Sequence, residues 1–231
     1  MTTVFVTPGE LAEEQVELEG AVHHHLFRVG RLATGEPLRV ADGAGRARQG
    51  VIESVNRTSA RIRLGSEAAS NEPTVDVQLL VVAPKKPRAE WLVEKTTELG
   101  VGAVRFLRSE RGPRNYGEGA FDRFRRIARS AAEQSERALA PEVTGMHEAE
   151  EVAGLIKACA STFVLDRSAA ALAPTPGLES ITLLVGPEGG WSSRELAGFA
   201  ESGIVRAGLG PRVLRVETAA VVAVSVCVAS D

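Results

Sequence analysis

Cysteine is scarce in this chain: only Cys159 and Cys227 occur among 231 residues. Two cysteines are too few for a disulfide framework or a cysteine-rich zinc site. Aromatic residues make up only 4% of the chain, and no apolar stretch reaches the roughly 18 residues that a membrane-spanning helix needs. The first 19 residues carry five glutamates and no basic residue, the opposite of a signal or transit peptide. We therefore expect a cytoplasmic protein without a membrane segment.

The composition is that of a globular protein. Hydrophobic residues make up 44% of the chain and charged residues 25%, which excludes intrinsic disorder. The 23 glycines and 11 prolines follow no period, which excludes a fibrous repeat. The length fits one large domain or two modest ones and is sufficient for a buried core without disulfides or metals.

Charge is distributed in blocks although the net charge is only −3. Residues 20–63 carry eight basic and three acidic groups, and residues 105–137 carry nine and five. Residues 138–231 are acidic, with six basic and eleven acidic groups. Basic segments of this kind are typical of polyanion-binding surfaces and also of ordinary solvated surfaces, and composition leaves both interpretations open.

The first 65 residues are rich in short strand-like runs. Apolar residues recur at alternate positions in Pro37–Ala41, Arg48–Val55 and Ser59–Leu64, and turn residues separate these runs. Short antiparallel strands at this spacing are typical of a small barrel. Gly65–Pro73 is polar and ends in proline, so we place a linker there. We expect one domain over residues 1–68 and a second over residues 74–231.

From Val75 onward, strands alternate with helices. The predicted strands are Val77–Ala83, Val101–Leu107, Thr162–Leu165 and Ile181–Val185. The predicted helices are Arg88–Leu99, Phe121–Leu139, Glu148–Ala160, Ser192–Ala200 and Thr218–Ala229. This alternation favours an α/β fold with a parallel sheet. The last segment is rich in valine and would also suit a strand, but we assign it to a helix.

Two glycine-rich turns are the sharpest local features. Gly186–Gly190 follows the apolar run that ends at Val185 and precedes a helix that a Ser192/Glu195 capping box can begin. Leu209–Ala219 places a rigid Gly-Pro turn and two arginines before the last helix. Ligands of open α/β sheets lie at the carboxyl ends of strands, so either turn could hold a cofactor. Taken singly, each turn is more typical of a structural connection than of a ligand site, and Gly186–Gly190 matches neither a phosphate-loop nor a dinucleotide fingerprint.

The predicted helix Phe121–Leu139 carries a polar face opposite its apolar stripe. At 100° per residue, the residues of this face fall within about 40° of one another: Arg126, Ser130, Glu133 and Arg137, flanked by Arg129 and Gln134. The face could be an exposed surface with internal salt bridges. It could equally contact phosphate or a base, helped by the upstream residues Arg108, Arg111 and Arg114.

Two other features carry weaker signals. Three consecutive histidines, His23 to His25, cannot all point in one direction, and no acidic or cysteine partner has ligand spacing, so we expect no metal. Asp166 ends a predicted strand, where it could be a ribose-binding acid or a turn residue. A Gly-x-Ser-x-Gly nucleophile elbow is missing from the sequence.

Taken together in chain order, several segments resemble one family. The matching segments are His24–Val29, Val40–Gly43, Lys86–Val101, Ser109–Arg111, Ala132–Arg137, Val185–Gly190 and Leu209–Ala219. They are similar to the bacterial RsmE-type ribosomal RNA uracil-N3 methyltransferases, a branch of the knotted SPOUT methyltransferases. The resemblance covers nearly the whole chain. Phe27 and Val29 replace commoner aliphatic residues, and the two glycine-rich segments show no departure.

The resemblance implies an architecture and an activity. The architecture is a small N-terminal PUA-like β-barrel that helps to hold RNA, followed by a SPOUT-type parallel sheet with a deep trefoil knot. The activity is S-adenosylmethionine-dependent methylation of N3 of a uridine in 16S ribosomal RNA of the small ribosomal subunit. The family resemblance also implies a cytoplasmic homodimer with the cofactor site near the subunit interface.

The resemblance, together with the chemistry of the side chains, implies roles for individual residues. The expected cofactor-binding residues are Leu165, Gly186, Pro187, Glu188, Gly189, Gly190, Leu209, Gly210, Leu214 and Arg215. The expected catalytic residues are Arg111, Glu133, Arg137 and Glu217, the two glutamates as alternative bases and the two arginines as grips for phosphate or the uracil anion. The expected RNA-binding residues are Arg28, Arg31, Arg88, Arg108, Arg111, Arg126, Arg129 and Gln134.

Two other functions stay open at this point. One is a non-catalytic RNA-binding or ribosome-assembly protein that keeps the fold, although such a protein would not need both glycine-rich turns. The other is a SPOUT enzyme that acts on a different RNA or on the ribose 2′-oxygen.

Overall fold

The computed structural model describes residues 2–112, 115–156 and 161–229. The chain divides into two compact units. The first contains Met1–Glu72 and Ala132–Ala140, and the second contains Pro73–Ala131 and Pro141–Asp231. The break after Glu72 lies inside the predicted linker. Residues 132–140 belong to the first unit, whereas the sequence-based boundaries placed them in the second domain.

The first unit is built on a five-stranded sheet with the strand order β1-β3-β4-β5-β2. Its strands are β1 (Thr3–Phe5), β2 (Gln15–Glu19), β3 (Pro37–Ala41), β4 (Ala47–Val55) and β5 (Ser59–Glu67). Its short helices are α1 (Pro8–Ala12) and α2 (Gly20–His23), which continues as a π-helix over His24–Val29. The β1–β3 pair is parallel and the other pairs are antiparallel. The three predicted strands are confirmed.

Alternation along the strands explains the core of this unit. In β2, Val16 and Leu18 are buried while the residues on either side of them are exposed. In β5, Ala60, Ile62 and Leu64 are buried in the same way. A period of two places these side chains on one face of the sheet, where they pack with Leu38, Val40 and Ile52. The sequence analysis missed β1, which has only three residues, and also missed β2, although Val16 and Leu18 alternate with exposed residues in it.

The second unit is built on a six-stranded sheet with the order β11-β9-β10-β6-β7-β8. Its strands are β6 (Asp76–Val82), β7 (Ala103–Arg108), β8 (Glu142–Glu148), β9 (Ser161–Leu165), β10 (Ser180–Val185) and β11 (Val205–Ala207). Every neighbouring pair is parallel. The predicted α/β class with a parallel sheet is confirmed; the trefoil knot stays a prediction.

Helices connect these strands. They are α3 (Lys86–Glu98), α4 (Glu118–Gln134), α5 (Val152–Leu155, after a 3₁₀ turn over Ala149–Glu151), α6 (Ser193–Glu201) and α7 (Val216–Val228). The central strands β6 and β10 are apolar and buried along almost their whole length, as expected of a parallel sheet covered on both faces. Helix α7 packs against α3, β6 and β10, which confirms its assignment as a helix despite its valine content. Within the described residues, no helix combines the length and apolarity needed to cross a membrane.

Two predicted helices are too long. The segment predicted as Glu148–Ala160 forms a 3₁₀ turn and a single α-turn that ends at Leu155; Lys157 to Ala160, including Cys159, lie outside the described residues. Helix α4 ends at Gln134 rather than Leu139. It ends there because the chain turns at Glu136, which has a left-handed φ of 61°. Apolar spacing alone does not show such a reversal, since Ala138 is also buried.

Candidate functional site

A cavity of about 360 Å³ opens in the second unit where β9 and β10 end. The structure brings nine of the ten expected cofactor-binding residues to its wall: Leu165, Gly186, Pro187, Glu188, Gly189, Gly190, Leu209, Gly210 and Leu214. Arg215 follows directly but does not line the cavity. A concave pocket of a few hundred cubic ångströms is typical of small-molecule sites. Its place at the carboxyl ends of parallel strands is also typical.

The first wall of the cavity is the turn over residues 186–191. A Cβ atom at Gly186 would lie 2.8 Å from Nε1 of Trp191, so this close approach of backbone to indole requires glycine. Gly190 has a φ of 68° and donates its N–H to the carbonyl of Pro187 at 2.8 Å, which closes the turn. Trp191 is buried and packs edge-to-face on Phe199 at 5.0 Å between ring centroids. The glycines thus set the shape of the wall.

Helix α6 begins directly after this turn with the predicted capping box. Ser192 accepts the Glu195 N–H, and the Glu195 carboxylate accepts the Ser192 N–H at 2.7 Å. The other oxygen of this buried carboxylate accepts the N–H of Glu110 at 3.0 Å. Glu195 therefore joins the start of α6 to the turn that follows β7. The capping box is confirmed, but sequence spacing gave no sign of the third hydrogen bond.

The second wall is the segment over residues 208–214. A Cβ atom at Gly208 would lie 2.6 Å from the carbonyl oxygen of Ala169, so the two segments meet at backbone distance. The Leu172 N–H donates to the carbonyl of Gly208 at 2.8 Å. Gly210 has a φ of 92°, a conformation that L side chains rarely adopt. Arg212 and Val213 also line the cavity, and the sequence analysis had not singled them out as cofactor residues.

Asp166 lines the cavity at the end of β9 and also organises the local turn. Its carboxylate accepts the N–H and hydroxyl of Ser168, each at 2.8 Å, and pairs with Arg206. Burial raises the pKa of Asp166, but the hydrogen bonds from Ser168 and the charge of Arg206 outweigh it, so the pKa lies below its usual 3.8. The interpretation of Asp166 as a turn residue is confirmed; ribose binding by Asp166, which also lines the cavity, stays a prediction.

Arg111 holds the glycine-rich turn over residues 186–191 by hydrogen bonds. Its Nη1 donates to the carbonyl oxygens of Gly189 at 2.9 Å and Trp191 at 3.3 Å. Arg111 also lines a second cavity of about 250 Å³, together with Val82, Ala83, Gly112, Pro187, Glu188 and Val216. Pro187, Glu188 and Val216 line both cavities, so the two share one wall.

An ion-pair network stands beside the shared wall. Arg88, near the start of α3, contacts Glu188 at 3.3 Å and Glu217, near the start of α7, at 3.4 Å. Glu217 is only 7% exposed, and its Oε2 has no hydrogen-bond partner among the described residues. A buried carboxylate oxygen without a partner is costly to leave in place. Arg88 was expected to bind RNA, and its ion pairs with Glu188 and Glu217 were not predicted.

The structure places Glu133 and Arg137 in the first unit. Arg137 is 3% exposed and lies beyond the end of α4. Its Nε and Nη2 donate to Glu72 at 2.9 and 2.7 Å, while the other oxygen of Glu72 accepts the N–H groups of Ala138 and Leu139. The expectation that Glu133 and Arg137 are helical neighbours on one polar face was wrong, because the helix ends between them.

The expected RNA-binding residues fall into two groups. Exposed side chains are Arg28, Arg31, Arg126, Arg129 and Gln134. Arg28 donates to the carbonyl of Arg57, and Arg126 donates to that of Asp122. Arg88 and Arg108 are half-buried; Arg108 pairs with Glu148. Arg114 lies outside the described residues.

The histidine cluster does not form a site. His23 is buried, and its Nε2 lies 3.2 Å from the carbonyl oxygen of Asn56, whereas His24 and His25 are exposed. Over the described ranges, no three histidine, cysteine or acidic side chains come close enough together to hold a metal ion.

Comparison with known proteins gives matches over both units. Residues 70–228 match the family model of an RNA methyltransferase domain, and residues 18–65 match that of an RNA methyltransferase PUA domain. Ribosomal RNA small subunit methyltransferase E of Synechocystis is 33% identical over 227 residues, which cover 95% of this chain and 75% of that protein. The Mycobacterium bovis protein of the same name is 34% identical over 219 residues, covering 89% of this chain and 83% of that protein.

Solved structures agree with these matches. The crystal structure of ribosomal RNA small subunit methyltransferase E from Neisseria gonorrhoeae bound to S-adenosyl methionine has a TM-score of 0.88 and 26% identity, and the match covers 97% of this chain and 95% of that one. A probable rRNA-methyltransferase from Porphyromonas gingivalis gives a TM-score of 0.81 at 28% identity, covering 97% and 95%.

Proposed function

This chain belongs to the ribosomal RNA small subunit methyltransferase E family of RNA methyltransferases, and we propose that it transfers a methyl group from S-adenosylmethionine to N3 of a uridine in 16S ribosomal RNA. The observation that carries the proposal is the cavity formed by the two glycine-rich segments next to an arginine. The reaction is that of the family which the segments from His24 to Ala219 resemble.

The residues of the first cavity fit S-adenosylmethionine. The volume of about 360 Å³ suits a molecule of nucleoside size with an amino acid attached. Leu165, Leu209 and Leu214 offer apolar surface for a flat base, and the backbone of Gly186–Gly190 offers polar groups at close range. When bound, S-adenosylmethionine supplies a methyl group that is attached to a positively charged sulfur. When the bond between sulfur and methyl carbon breaks, the sulfur keeps the electron pair, and the rest of the molecule leaves as a neutral thioether.

We propose a second role for Arg111 in addition to the one that the sequence implied. Its hydrogen bonds to Gly189 and Trp191 hold the turn that lines the cavity, so we propose that it shapes the cofactor site as well as stabilising negative charge on the uracil. The loss of this side chain should therefore weaken cofactor binding together with methyl transfer.

We infer that Glu217, rather than Glu133, takes the proton that leaves uracil N3. Glu217 adjoins Val216, which lines both cavities, and its buried Oε2 finds no hydrogen-bond partner in the described part of the chain. Arg88 contacts the other oxygen and so holds the carboxylate in place. A proton acceptor must lie within hydrogen-bond reach of the proton that it removes, and Glu217 belongs to the unit that contains both cavities.

The proposal extends to location and assembly. The N-terminal unit matches a PUA domain and carries the first basic block, which supports a role in holding RNA. We also propose a cytoplasmic homodimer and a trefoil knot, as the family resemblance implies. Light scattering of the purified protein should give a mass near twice 24.4 kDa; a mass near 24.4 kDa would contradict the dimer.

Methylation of ribosomal subunits tests the proposal. Small subunits from a strain that lacks this enzyme are incubated with the protein and isotopically labelled S-adenosylmethionine, and the RNA is digested to nucleosides for mass spectrometry. We expect labelled N3-methyluridine. A labelled 2′-O-methyl nucleoside would identify a different reaction, and RNA binding without any label would identify a non-catalytic binding protein.

A further inference from the structure

We propose that the second cavity receives the uracil ring, with the hydroxyl of Ser109 and the guanidinium of Arg111 as donors to its carbonyl oxygens. This inference rests on the proposed function and assigns the place of the acceptor base. An enzyme that modifies a base edge must take the base out of its stack and hold it in a pocket. The cavity of about 250 Å³ exceeds the volume of one pyrimidine ring.

The position of the second cavity suits an acceptor. Pro187, Glu188 and Val216 form one wall shared with the first cavity, so ligands in the two cavities would be neighbours. Transfer of a methyl group requires donor and acceptor atoms in close contact and in line. Because both cavities belong to the second unit and share these three lining residues, a base in the second cavity would lie next to a methyl donor in the first.

Ser109, close to the lining residue Gly112, carries a buried hydroxyl that no described residue uses. The residue is 8% exposed, and its hydroxyl has no hydrogen-bond partner among the described residues. A Cβ atom at Gly112 would lie 2.9 Å from the Ser109 Oγ, 2.4 Å from Val82 and 3.2 Å from Pro187. Gly112, Val82 and Pro187 all line the second cavity, so the hydroxyl lies beside Gly112, one of the lining residues, although Ser109 itself is not one of them. Most buried hydroxyls have a hydrogen-bond partner, and because this one lies beside a cavity, a ligand in that cavity can accept its hydrogen bond.

The turn that carries Ser109 is fixed. Ser109 and Gly112 exchange backbone hydrogen bonds at 3.4 and 3.1 Å, directly after β7 ends at Arg108. The Glu110 N–H is held by Glu195, and Arg111 is held by the glycine-rich turn. Both donors of the proposed subsite therefore come from one anchored turn, as a preorganised site requires.

The two donors would also select the base. Uracil has a carbonyl oxygen on each side of N3, and both oxygens gain negative charge when N3 loses its proton. Cytosine has an amino group in place of one of them, and it has no proton on N3. A donor that faces an amino group loses its hydrogen bond and is left unpaired, which is costly in a buried site. The subsite should therefore reject cytidine at the target position.

The test removes the hydroxyl and compares it with a matched control. Ser109→Ala deletes the proposed donor. Thr182→Val deletes another buried hydroxyl that has no partner within the described ranges; Thr182 lies in β10 and lines neither cavity. We expect Ser109→Ala to lower the single-turnover methylation rate about tenfold. The affinity for S-adenosylmethionine, measured by calorimetry, should change less than about twofold in both variants, and Thr182→Val should methylate at the wild-type rate. Ser109→Cys keeps about the same side-chain volume but has a weaker donor, so its methylation rate should lie between those of Ser109→Ala and the wild type.

A cross-linking experiment tests the subsite without methyl transfer. The RNA carries 5-iodouridine at the target position, the complex is irradiated, and the linked peptide is identified by mass spectrometry. We expect the cross-link within residues 109–112 or on a neighbouring residue of the second cavity. A link elsewhere in the chain, or a Ser109→Ala rate equal to wild type, would overturn the assignment. Failure of the proposed function would differ: the wild-type protein would then methylate no uridine at all.

Discussion

At the scale of single residues, the buried ion pair of the first unit shows how a plausible catalytic arginine can be structural. Arg137 and Glu72 are both largely removed from solvent, with side chains 3% and 16% exposed. The Glu72 carboxylate accepts four hydrogen bonds, two of them from backbone groups that follow the reversal at Glu136. The arginine thus fixes the path of the chain after α4, and it needs no substrate to be satisfied.

Arg137→Ala should lower the free energy of unfolding by about 3 kcal/mol, because removal of one partner leaves a buried carboxylate unpaired. The control is Arg63→Ala, which breaks an exposed pair with Glu53 and should cost less than about 1 kcal/mol. Urea unfolding followed by circular dichroism measures both variants. Equal losses would show that the Glu72 pair is no stronger than a surface pair.

Cys227 should be inert in the folded protein. Burial raises the pKa of its thiol to about 12, and the residue is 1% exposed in α7. Since the thiolate is the reactive form, iodoacetamide at pH 8 should label it only after unfolding. A Cys159→Ser background leaves Cys227 as the single thiol, so that intact mass reports it alone. Rapid labelling of the folded chain would contradict the packing of α7.

At the scale of elements, two capping boxes of the same design differ in their surroundings. Thr7 and Glu10 cap the exposed helix α1. Ser192 and Glu195 cap α6, but Glu195 is buried and also accepts the N–H of Glu110. The second box therefore joins two elements as well as beginning a helix, and it lies directly beside the glycine-rich turn.

Glu195→Ala should lower the free energy of unfolding by about 3 kcal/mol, because two N–H groups lose their acceptor in a buried place. Glu10→Ala is the matched control, and its loss should be about 0.5–1 kcal/mol because water can replace the carboxylate. Guanidinium unfolding compares the two variants. If Glu195→Ala lowers the free energy of unfolding no more than Glu10→Ala does, the hydrogen bond between the Glu110 N–H and Glu195 contributes nothing to stability.

The β3–β4 connection should respond to acid. Asp42 accepts the N–H groups of Ala44 and Arg46 and the side chain of Arg46. Burial raises the pKa of Asp42, but these hydrogen bonds and the arginine charge outweigh it, so the pKa lies below the ordinary 3.8. The stabilisation is therefore complete above pH 3.8 and is lost as the pH falls through the lower pKa of the folded state.

Asp42→Asn should accordingly be less stable than wild type at pH 7, and the difference should shrink as the pH falls below 3.8. Urea unfolding at a series of pH values measures this difference. Asp122→Asn serves as the control, because Asp122 is exposed and its pair with Arg125 is open to solvent; its effect on the free energy of unfolding should be small. A difference for Asp42→Asn that stays constant down to pH 2 would contradict the role of the carboxylate.

At the scale of the whole molecule, the apolar pattern predicted strands, whereas glycine spacing and the family resemblance predicted the cavity. Alternation predicted β3, β4 and β5, and the apolar run Val77–Ala83 predicted the central strand β6, because burial leaves a direct trace in composition. Short elements such as β1 and β11 leave too little pattern to detect. Glycine spacing and the family resemblance predicted the two glycine-rich segments that form the walls of the cavity.

Partners far apart in the chain could not be predicted in this way. The contacts of Arg88 with Glu188 and Glu217, and of Glu195 with Glu110, join residues on different elements. The end of α4 depends on the left-handed conformation of one residue, Glu136. The spacing of apolar residues does not predict this conformation. Long-range pairing of this kind appears only when the chain is folded.

The central claim is that the cavity between the two glycine-rich segments holds the methyl donor. A crystal structure of the protein soaked with S-adenosylmethionine tests it most directly. We predict density for the cofactor against Gly186–Gly190 and Leu209–Leu214, with its sulfur facing the wall shared with the second cavity. Cofactor density in any other part of the chain, with this cavity left to solvent, would contradict the account.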